Sequence, residues 1–134
     1  MKLNWIRSFN AVQIEEVLNL MKNEVWCKDR TRDQVRRVIE KSTISLAAID
    51  RDESVVCFAR ILTDFTFKAT IYDVIVRQDW RNKGLGKEII GRIKNLKELD
   101  EVQSFELYCP DRLNGFYESL GFRKSIANLL VFRP

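Results

Sequence analysis

Histidine is absent from the 134 residues of this chain. Ser-His-Asp and Cys-His nucleophilic mechanisms and most zinc hydrolase sites depend on an imidazole, so the sequence argues against all of them. Any proton transfer must instead use a carboxylate, a tyrosine, a lysine, a cysteine, water or the substrate's own titration. We therefore expect no metal site and no histidine base.

Cysteine is scarce, and its spacing forms no metal or redox motif. The three cysteines, Cys27, Cys57 and Cys109, lie far apart, and no CxxC pair exists. This pattern favours buried, reduced thiols in a reducing compartment. Because no histidine is present to activate it, Cys109 is expected to be a small buried side chain and not a nucleophile.

Long apolar runs and a dense basic stripe are also lacking. No run approaches the length that spans a bilayer, and the first residues contain no apolar signal-peptide core. The 23 basic and 19 acidic residues give a net charge of only +4, whereas nucleic-acid-binding domains usually carry clustered lysine and arginine. We expect a cytoplasmic protein without membrane or nucleic-acid partners, folded as one domain over residues 1–134.

Hydrophobic periodicity predicts the element order β-α-α-β-β-β-α-β-α-β. A strand-helix-strand crossover beside an antiparallel meander predicts a single mixed α/β domain whose sheet contains one parallel strand pair. Thr31 followed by Gln34 has the pattern of a helix capping box. The predicted strands cover residues 3–7, 44–49, 54–61, 69–76 and 103–109, with a last strand or hairpin through Ile126, Leu129, Leu130, Val131 and Phe132. The predicted helices comprise one with Val12, Val17, Leu18 and Met21 as its apolar stripe, one over 31–41, one from Leu85 and one over 113–120.

A turn with two glycines, Arg-Asn-Lys-Gly-Leu-Gly at residues 81–86, joins the strand ending at Val76 to the next helix. The first amides of a helix have no internal partner and carry partial positive charge. Glycine allows positive φ and close approach to a ligand, and Arg81, Lys83 and Lys87 add charge at the same end. These features predict an anion site that suits a diphosphate.

Other phosphate-binding motifs do not fit this turn. A P-loop needs serine or threonine after its lysine, but Lys87 is followed by Glu88. A dinucleotide fingerprint needs a third glycine where Ile89 stands. A simple strand-to-helix turn with exposed basic residues remains the structural alternative.

Two segments together resemble a known family. Arg81-x-x-Gly84-x-Gly86 looks like the acetyl-CoA signature of the GNAT (general-control-type N-acetyltransferase) superfamily. Residues 114–122, which read Asn-Gly-Phe-Tyr-Glu-Ser-Leu-Gly-Phe, are similar to the family's Phe-Tyr-x-x-Leu-Gly-Phe segment. The resemblance implies a GNAT-like domain in which a parallel central strand pair splays around acetyl-CoA, with about four helices flanking the sheet. It also implies acetyl transfer to a primary amine by direct attack in a ternary complex.

The resemblance implies that the end of the strand before the turn lies along the pantetheine arm, as an added strand would. A backbone N–H there would polarise the thioester carbonyl. The turn would hold the diphosphate, and Arg112 is a candidate for the outer phosphate. The residues expected to bind the coenzyme are Val74, Ile75, Val76, Arg81, Asn82, Lys83, Gly84, Leu85, Gly86, Lys87, Asn114 and Phe116.

Tyr117 is the expected general acid, because a leaving thiolate needs a proton that a tyrosine hydroxyl can supply. The alternative is that Tyr117 only packs beside Phe116 and Phe122. Asp73, Asp64 or water are the candidates for the base, and each carboxylate also fits a solvated surface role.

The chain departs from the family where many members carry an asparagine after the strand that ends near Cys109. Pro110 and Asp111 stand there instead, which puts one coenzyme hydrogen bond in doubt. Small-molecule and peptide amines stay open as acceptors, Trp26, Phe65 and Phe67 are candidates to line the acceptor pocket, and a homodimer is a reasonable expectation. A catalytically silent acyl-CoA-binding module and nucleic-acid binding through the basic turn are the competing interpretations.

Overall fold

A five-stranded sheet with strand order β1-β2-β3-β4-β5 forms the centre of the chain. The computed structural model describes residues 2–134 and has the predicted α/β class. Within that range no helix is long and apolar enough to cross a bilayer. The strands are β1 (Asn4–Ile6), β2 (Ile44–Ile49), β3 (Val55–Thr63), β4 (Lys68–Val76) and β5 (Ser104–Leu107). The helices are α1 (Ala11–Lys22), α2 (Arg32–Lys41), α3 (Leu85–Lys94) and α4 (Asn114–Ser119).

Both N-terminal helices begin at capping boxes. The predicted box at the start of α2 is confirmed, because the Thr31 side chain accepts from the Gln34 N–H and the Gln34 side chain accepts from the Thr31 N–H. Asn10 and Gln13 form the same arrangement at the start of α1. The apolar stripe expected on α1 was wrong at Val12, which is 67% exposed because it lies in the first turn on the solvent side.

The sheet has two covered faces. α1 and α2 pack on one face against Phe58 and Ile75, and α3 packs on the other face through Ile89 and Ile93. Every residue of β2 is consequently buried, as expected for a strand with helices on both sides. This arrangement leaves the ends and edges of the sheet as the places where a ligand can approach.

β4 pairs with a strand on each side in its first half and with β3 alone in its second half. It pairs antiparallel with β3 and parallel with β5, so the predicted parallel pair is confirmed. Pairing with β5 ends at Ile71 opposite Leu107, whereas pairing with β3 continues to Val76. A register shift on the β3 side accompanies a φ of 55° at Asp73. The second half of β4 therefore has one edge that faces no strand of residues 2–134.

The predicted last strand is absent. Residues 123–134 contain no helix or strand, and all of them are exposed. A strand requires a neighbouring strand for its backbone hydrogen bonds, and this segment lies along none of the five strands. As a result β5 is the last strand of the sheet, and the parallel pair lies at its edge.

Candidate functional site

The turn before α3 has the geometry of an anion site. Gly84 is the N-cap residue of α3, with φ +80°, and no side chain caps the helix. The first backbone bond at this end runs from the Glu88 N–H to the Gly84 oxygen, at 3.0 Å. The N–H groups of Leu85, Gly86 and Lys87 therefore have no acceptor within the helix and are available to a bound anion.

Glycine occupies positions 84 and 86 for two different structural reasons. Gly84 adopts a left-handed conformation that disfavours any residue with a Cβ. At Gly86, a Cβ would lie 3.2 Å from Cζ of Phe116, so glycine lets α4 approach the start of α3 closely. Asn82 also has positive φ, at 62°, which asparagine tolerates better than most residues. The two motifs predicted from sequence thus meet in space at Gly86 and Phe116.

Two of the three basic side chains of the turn, Arg81 and Lys83, already have partners. Arg81 Nη2 donates to Glu24 Oε1 at 2.6 Å, and its Nε donates to the Val76 carbonyl at 3.1 Å. The Lys83 ammonium lies 5.5 Å from the centre of the Trp80 ring. Arg81 therefore ties the end of β4 to the segment that follows α1.

A cleft of about 420 Å³ lies between the end of β4 and the end of α1. Its walls include the predicted residues Ile75, Val76 and Arg81. Glu24 also lines it, and sequence reasoning missed this residue because its partner Arg81 is 57 positions away. A separate open groove of about 480 Å³ follows the outer side of α3 and includes Gly84 and Lys87.

Tyr117 is held inside the core by aromatic neighbours. The residue is only 8% exposed, and its ring makes edge-to-face contacts with Phe116 and Phe122, at 5.0 and 5.9 Å between centroids. The end of α4 directs Phe122 back onto it, because Gly121 has φ +99° and the Phe122 N–H donates to the Tyr117 carbonyl at 3.1 Å. Gly121 therefore follows the end of α4 in the left-handed conformation that is common at this position.

Burial raises the pKa of Tyr117 to about 12, with a smaller contribution from the nearby Cys109. The phenol therefore stays protonated at neutral pH. Its hydroxyl makes no hydrogen bond to another of residues 2–134, yet no fully buried side-chain oxygen in that range lacks a partner. The hydroxyl is thus not fully enclosed by these residues, and it has a proton to donate.

Cys109 lies beside this tyrosine. Burial raises the pKa of its thiol, with a further contribution from Asp111, so the nucleophilic thiolate is disfavoured. Its Sγ donates a weak hydrogen bond to Asn114 Oδ1 at 3.5 Å. Asn114 is therefore turned toward Cys109, and Arg112 lies in an exposed single turn over Asp111–Leu113. All three cysteines are free thiols, and Cys27 and Cys57 are buried as expected, whereas Cys109 is only half-buried.

Asp73 is the centre of a part-buried ion cluster. Its side chain is 4% exposed, and Oδ2 accepts from Arg60 Nε at 2.6 Å and from Arg30 Nη1 at 2.7 Å. The guanidinium of Arg60 also lies 4.8 Å from the Tyr72 ring. No local pattern indicates these arginines, because they come from β3 and from the segment between α1 and α2.

Asp64 has a different task. Its Oδ1 accepts from the backbone N–H groups of Thr66, Phe67 and Lys68 in the β3–β4 turn, at 2.7–3.2 Å. These bonds lower the pKa of the Asp64 carboxyl. Asp64 therefore stabilises a turn, at the opposite end of β4 from the cleft.

The aromatic residues proposed for the acceptor pocket are not brought together. Trp26 is 53% exposed, and the Arg30 guanidinium lies 5.6 Å from its ring, near Asp73. Phe65 and Phe67 lie in the β3–β4 turn. Phe67 precedes Asp73 by six residues of extended strand, roughly 20 Å. Trp26 therefore lies close to the Arg30–Asp73 ion pair, whereas the two phenylalanines lie at the far end of β4.

Comparisons with known proteins indicate the family to which this chain belongs. A family model described as an acetyltransferase (GNAT) domain matches residues 8–131. An uncharacterized N-acetyltransferase, ycf52, from Porphyra purpurea is 32% identical over 124 residues, which cover 90% of this chain and 70% of that protein. Serotonin N-acetyltransferase 2, chloroplastic, from Oryza sativa subsp. japonica is 31% identical over 107 residues, 75% of this chain and 54% of that protein.

The fold has counterparts among solved structures. A protein from Xanthomonas campestris pv. campestris, described as belonging to the GNAT family, superimposes with a TM-score of 0.86 at 22% identity. The match covers 100% of this chain and 95% of that one. Because the family model spans most of the sequence, the resemblance of the two motifs is confirmed. The chain belongs to the GNAT family of acetyltransferases.

Proposed function

We propose that this chain transfers the acetyl group of acetyl-CoA to a primary amine, and that residues 1–134 form one catalytic domain. Two features carry the proposal, an uncapped helix start at Gly84 and an open strand edge on β4, and the chain connects them through residues 77–83. The first offers N–H groups to a diphosphate, and the second offers backbone groups to an amide-bearing arm.

The residues at this site fit acetyl-CoA. Leu85, Gly86 and Lys87 would bind the diphosphate through backbone N–H groups, with Arg81, Asn82 and Lys83 around it. The backbone of Val74, Ile75 and Val76 would pair with the pantetheine arm and polarise the carbonyl. Asn114 and Phe116 would contact the coenzyme from the α4 side. Acetyl-CoA supplies the acetyl group activated as a thioester.

Direct attack in a ternary complex requires the chain to move two protons. The amine nitrogen bonds to the carbonyl carbon, and the carbon–sulfur bond breaks. Tyr117 would donate its proton or a hydrogen bond to the leaving thiolate, because its phenol is protonated at neutral pH. Water would take the proton from the amine, because Asp73 is engaged by two arginines and Asp64 caps a distant turn.

Thiol release measured with acetyl-CoA and a panel of amines tests the proposal. The panel contains serotonin, because a rice relative is named for that acceptor, together with polyamines, amino acids and lysine peptides. We expect amine-dependent thiol release that falls sharply in the Tyr117→Phe variant. Tight coenzyme binding without turnover on any amine would favour the silent acyl-CoA-binding module instead.

The location of the protein in the cell is a separate proposal. The cytoplasmic location stays a prediction, and several relatives from rice and Arabidopsis thaliana are named as chloroplastic.

Nucleic-acid binding through the basic turn has a distinct signature, a steep fall of affinity with salt. We expect none, because Arg81 is paired with a carboxylate.

A further inference from the structure

Cys109 lies beside the open half of β4. It follows Leu107, the last residue of β5 that pairs with β4, by two positions, which places it level with Asp73, where β4 has no neighbour on this side. Its side chain is half-buried, with one side against the core that α3 covers. The backbone of this half of β4 is proposed to pair with the pantetheine arm. Cys109 therefore borders the gap in which the reactive end of that arm would lie.

Tyr117 indicates which atom of the coenzyme would come to this place. Asn114 and Tyr117 lie three positions apart on α4, so their side chains share a face of that helix. On that face Cys109 Sγ lies 3.5 Å from Asn114 Oδ1. Tyr117 is only 8% exposed, yet its hydroxyl has no hydrogen-bond partner among residues 2–134, and a buried polar group of this kind is open to a ligand. Because Tyr117 is proposed to donate to the leaving thiolate, the coenzyme's sulfur would lie beside both Tyr117 and Cys109.

The other two thiols are less suited to react with a ligand. Cys27 and Cys57 are 4% and 0% exposed, and burial raises the pKa of Cys27 to about 11 and that of Cys57 to about 12. Cys109 is half-buried, and its contact with Asn114 is long and weak. Little therefore holds the Cys109 thiol away from the gap.

We propose that Cys109 is a modification site at which the thiol forms a mixed disulfide with coenzyme A. The oxidant is coenzyme A disulfide, held at the start of α3 by one of its diphosphates. The Cys109 thiolate attacks the nearer sulfur, a sulfur–sulfur bond to Cys109 forms, and the bond between the two coenzyme sulfurs breaks. The second coenzyme leaves as a thiolate and takes up the proton that Cys109 released. Cys109 is thus oxidised, and one coenzyme thiol is released in reduced form.

The raised pKa of Cys109 makes binding of the disulfide essential for this reaction. Burial and Asp111 keep most of the thiol protonated, so a disulfide that only collides from solution meets few thiolates. A bound disulfide is held beside the thiol, and positioning of this kind accelerates reactions by large factors. The thiolate that forms is a strong nucleophile, because nucleophilicity rises with the pKa of the thiol. Selectivity for the coenzyme is therefore the expected property of this site.

The mixed disulfide would block the coenzyme site. A pantetheine arm fixed covalently in the gap would exclude acetyl-CoA until a thiol reductant releases it. The modification would therefore switch the protein off reversibly when coenzyme A becomes oxidised. This inference rests on the coenzyme-binding half of the proposed function and does not depend on the amine.

Mass spectrometry of the intact native chain, after incubation with coenzyme A disulfide at about pH 8, is the first test. We expect one adduct per chain, with the mass of coenzyme A less two hydrogens, that dithiothreitol removes. Trypsin digestion without reduction should place it on the peptide of residues 98–112, which contains Cys109. No adduct, or an adduct on Cys27 or Cys57 instead, would overturn the proposal.

The rate of adduct formation distinguishes a binding site from a thiol that is only accessible. We expect coenzyme A disulfide to modify Cys109 about 100-fold faster than oxidised glutathione, which has no diphosphate, and excess acetyl-CoA to slow only the first reaction. Cys109→Ala should form no adduct. Cys27→Ser, which can keep the hydrogen bond to the Met21 carbonyl, is the control and should react at the native rate. Equal rates for the two disulfides would contradict the proposal.

These results can be separated from those of the amine assay. Selective modification of Cys109 in a chain that acetylates no amine would uphold this inference and reject the proposed transfer. Acetylation of an amine by a chain whose Cys109 resists coenzyme A disulfide would uphold the transfer and reject this inference.

Discussion

The turn over residues 81–87 and the ion cluster around Asp73 are only a few residues apart along the chain. The N–H groups of the turn lack partners, whereas the charged groups of the cluster are paired with one another. At the turn, the first N–H groups of α3 have no acceptor in the helix and no capping side chain. At Asp73, one carboxylate oxygen accepts from both Arg30 and Arg60, and its side chain is 4% exposed.

This difference separates a binding surface from a scaffold. Polar groups that a fold leaves unsatisfied at its surface are available to a ligand, whereas satisfied buried groups hold the backbone in place. Asp73 lies at the irregular point of β4, with φ 55°, so its arginines fix the strand where the coenzyme would lie. The turn therefore supplies the ligand contacts, and the cluster positions the strand.

The largest expected effect tests the cluster. Asp73→Asn keeps a residue that tolerates positive φ but leaves two part-buried guanidinium groups without a carboxylate. We expect the free energy of unfolding to fall by about 3 kcal/mol, the lower end for breaking a buried ion pair, because Arg30 is partly exposed. Urea denaturation measures the change. Asp52→Asn, on the exposed β2–β3 turn, should stay within about 0.5 kcal/mol of the native protein, and an equally small loss at Asp73 would remove its scaffold role.

Tyr117 combines the two kinds of environment, because the residue is buried while its hydroxyl has no hydrogen-bond partner among residues 2–134. Tyr117→Phe should lower kcat by about 100-fold, as expected for the loss of a general acid. Tyr108→Phe, an exposed tyrosine, is the control and should keep its rate. If the Phe variant retains the native rate, Tyr117 is not the general acid and only packs against Phe116 and Phe122.

The raised pKa of Tyr117 also predicts a pH dependence of stability. The unfolded phenol ionises near pH 10, whereas the folded one stays protonated up to about 12. The stabilisation is therefore fully present below about pH 10 and is lost as pH rises through about 12. Thermal unfolding across this window should show a steeper alkaline fall for the native protein than for Tyr117→Phe. Parallel curves would mean that the ring is less buried than described.

Substitution of Gly84 tests the geometry of the turn. Gly84→Ala places a Cβ at φ +80°, which should cost about 1–2 kcal/mol and weaken acetyl-CoA binding about ten-fold by tilting the first amides of α3. Gly91→Ala, in the same helix with nothing within 4 Å of a new Cβ, should instead stabilise by up to about 1 kcal/mol. Calorimetric titration and thermal unfolding distinguish the two, and equal effects would contradict the geometry of the turn.

The smallest expected effect concerns Glu24, which competes with a diphosphate for Arg81. Glu24→Gln should tighten acetyl-CoA binding by about two- to five-fold, in line with the modest strength of exposed ion pairs. Glu98→Gln removes the same charge from a pair with Arg7 elsewhere on the surface and should leave affinity unchanged. Weaker binding in Glu24→Gln would mean that Glu24 orients Arg81 for the ligand.

The same comparison explains how far the sequence could be interpreted. The turn could be predicted because its charge, its glycines and its helix start are contiguous, and the packing of Gly86 on Phe116 agrees with the two motifs found. The cluster could not, since Arg30 and Arg60 reach Asp73 only through the fold, from 43 and 13 positions away. The last strand was predicted wrongly because an apolar run indicates burial, whereas residues 123–134 are exposed and pair with none of the five strands.

The most direct test of the central claim is a titration of ¹⁵N-labelled protein with acetyl-CoA, followed through backbone amide resonances. We expect the largest shifts at Leu85, Gly86 and Lys87, with a second group along residues 73–76. The short thioester S-acetyl-N-acetylcysteamine, which has no diphosphate, should leave the first group unchanged. Saturable acetyl-CoA binding that shifts neither group would contradict the assignment of the diphosphate to the start of α3.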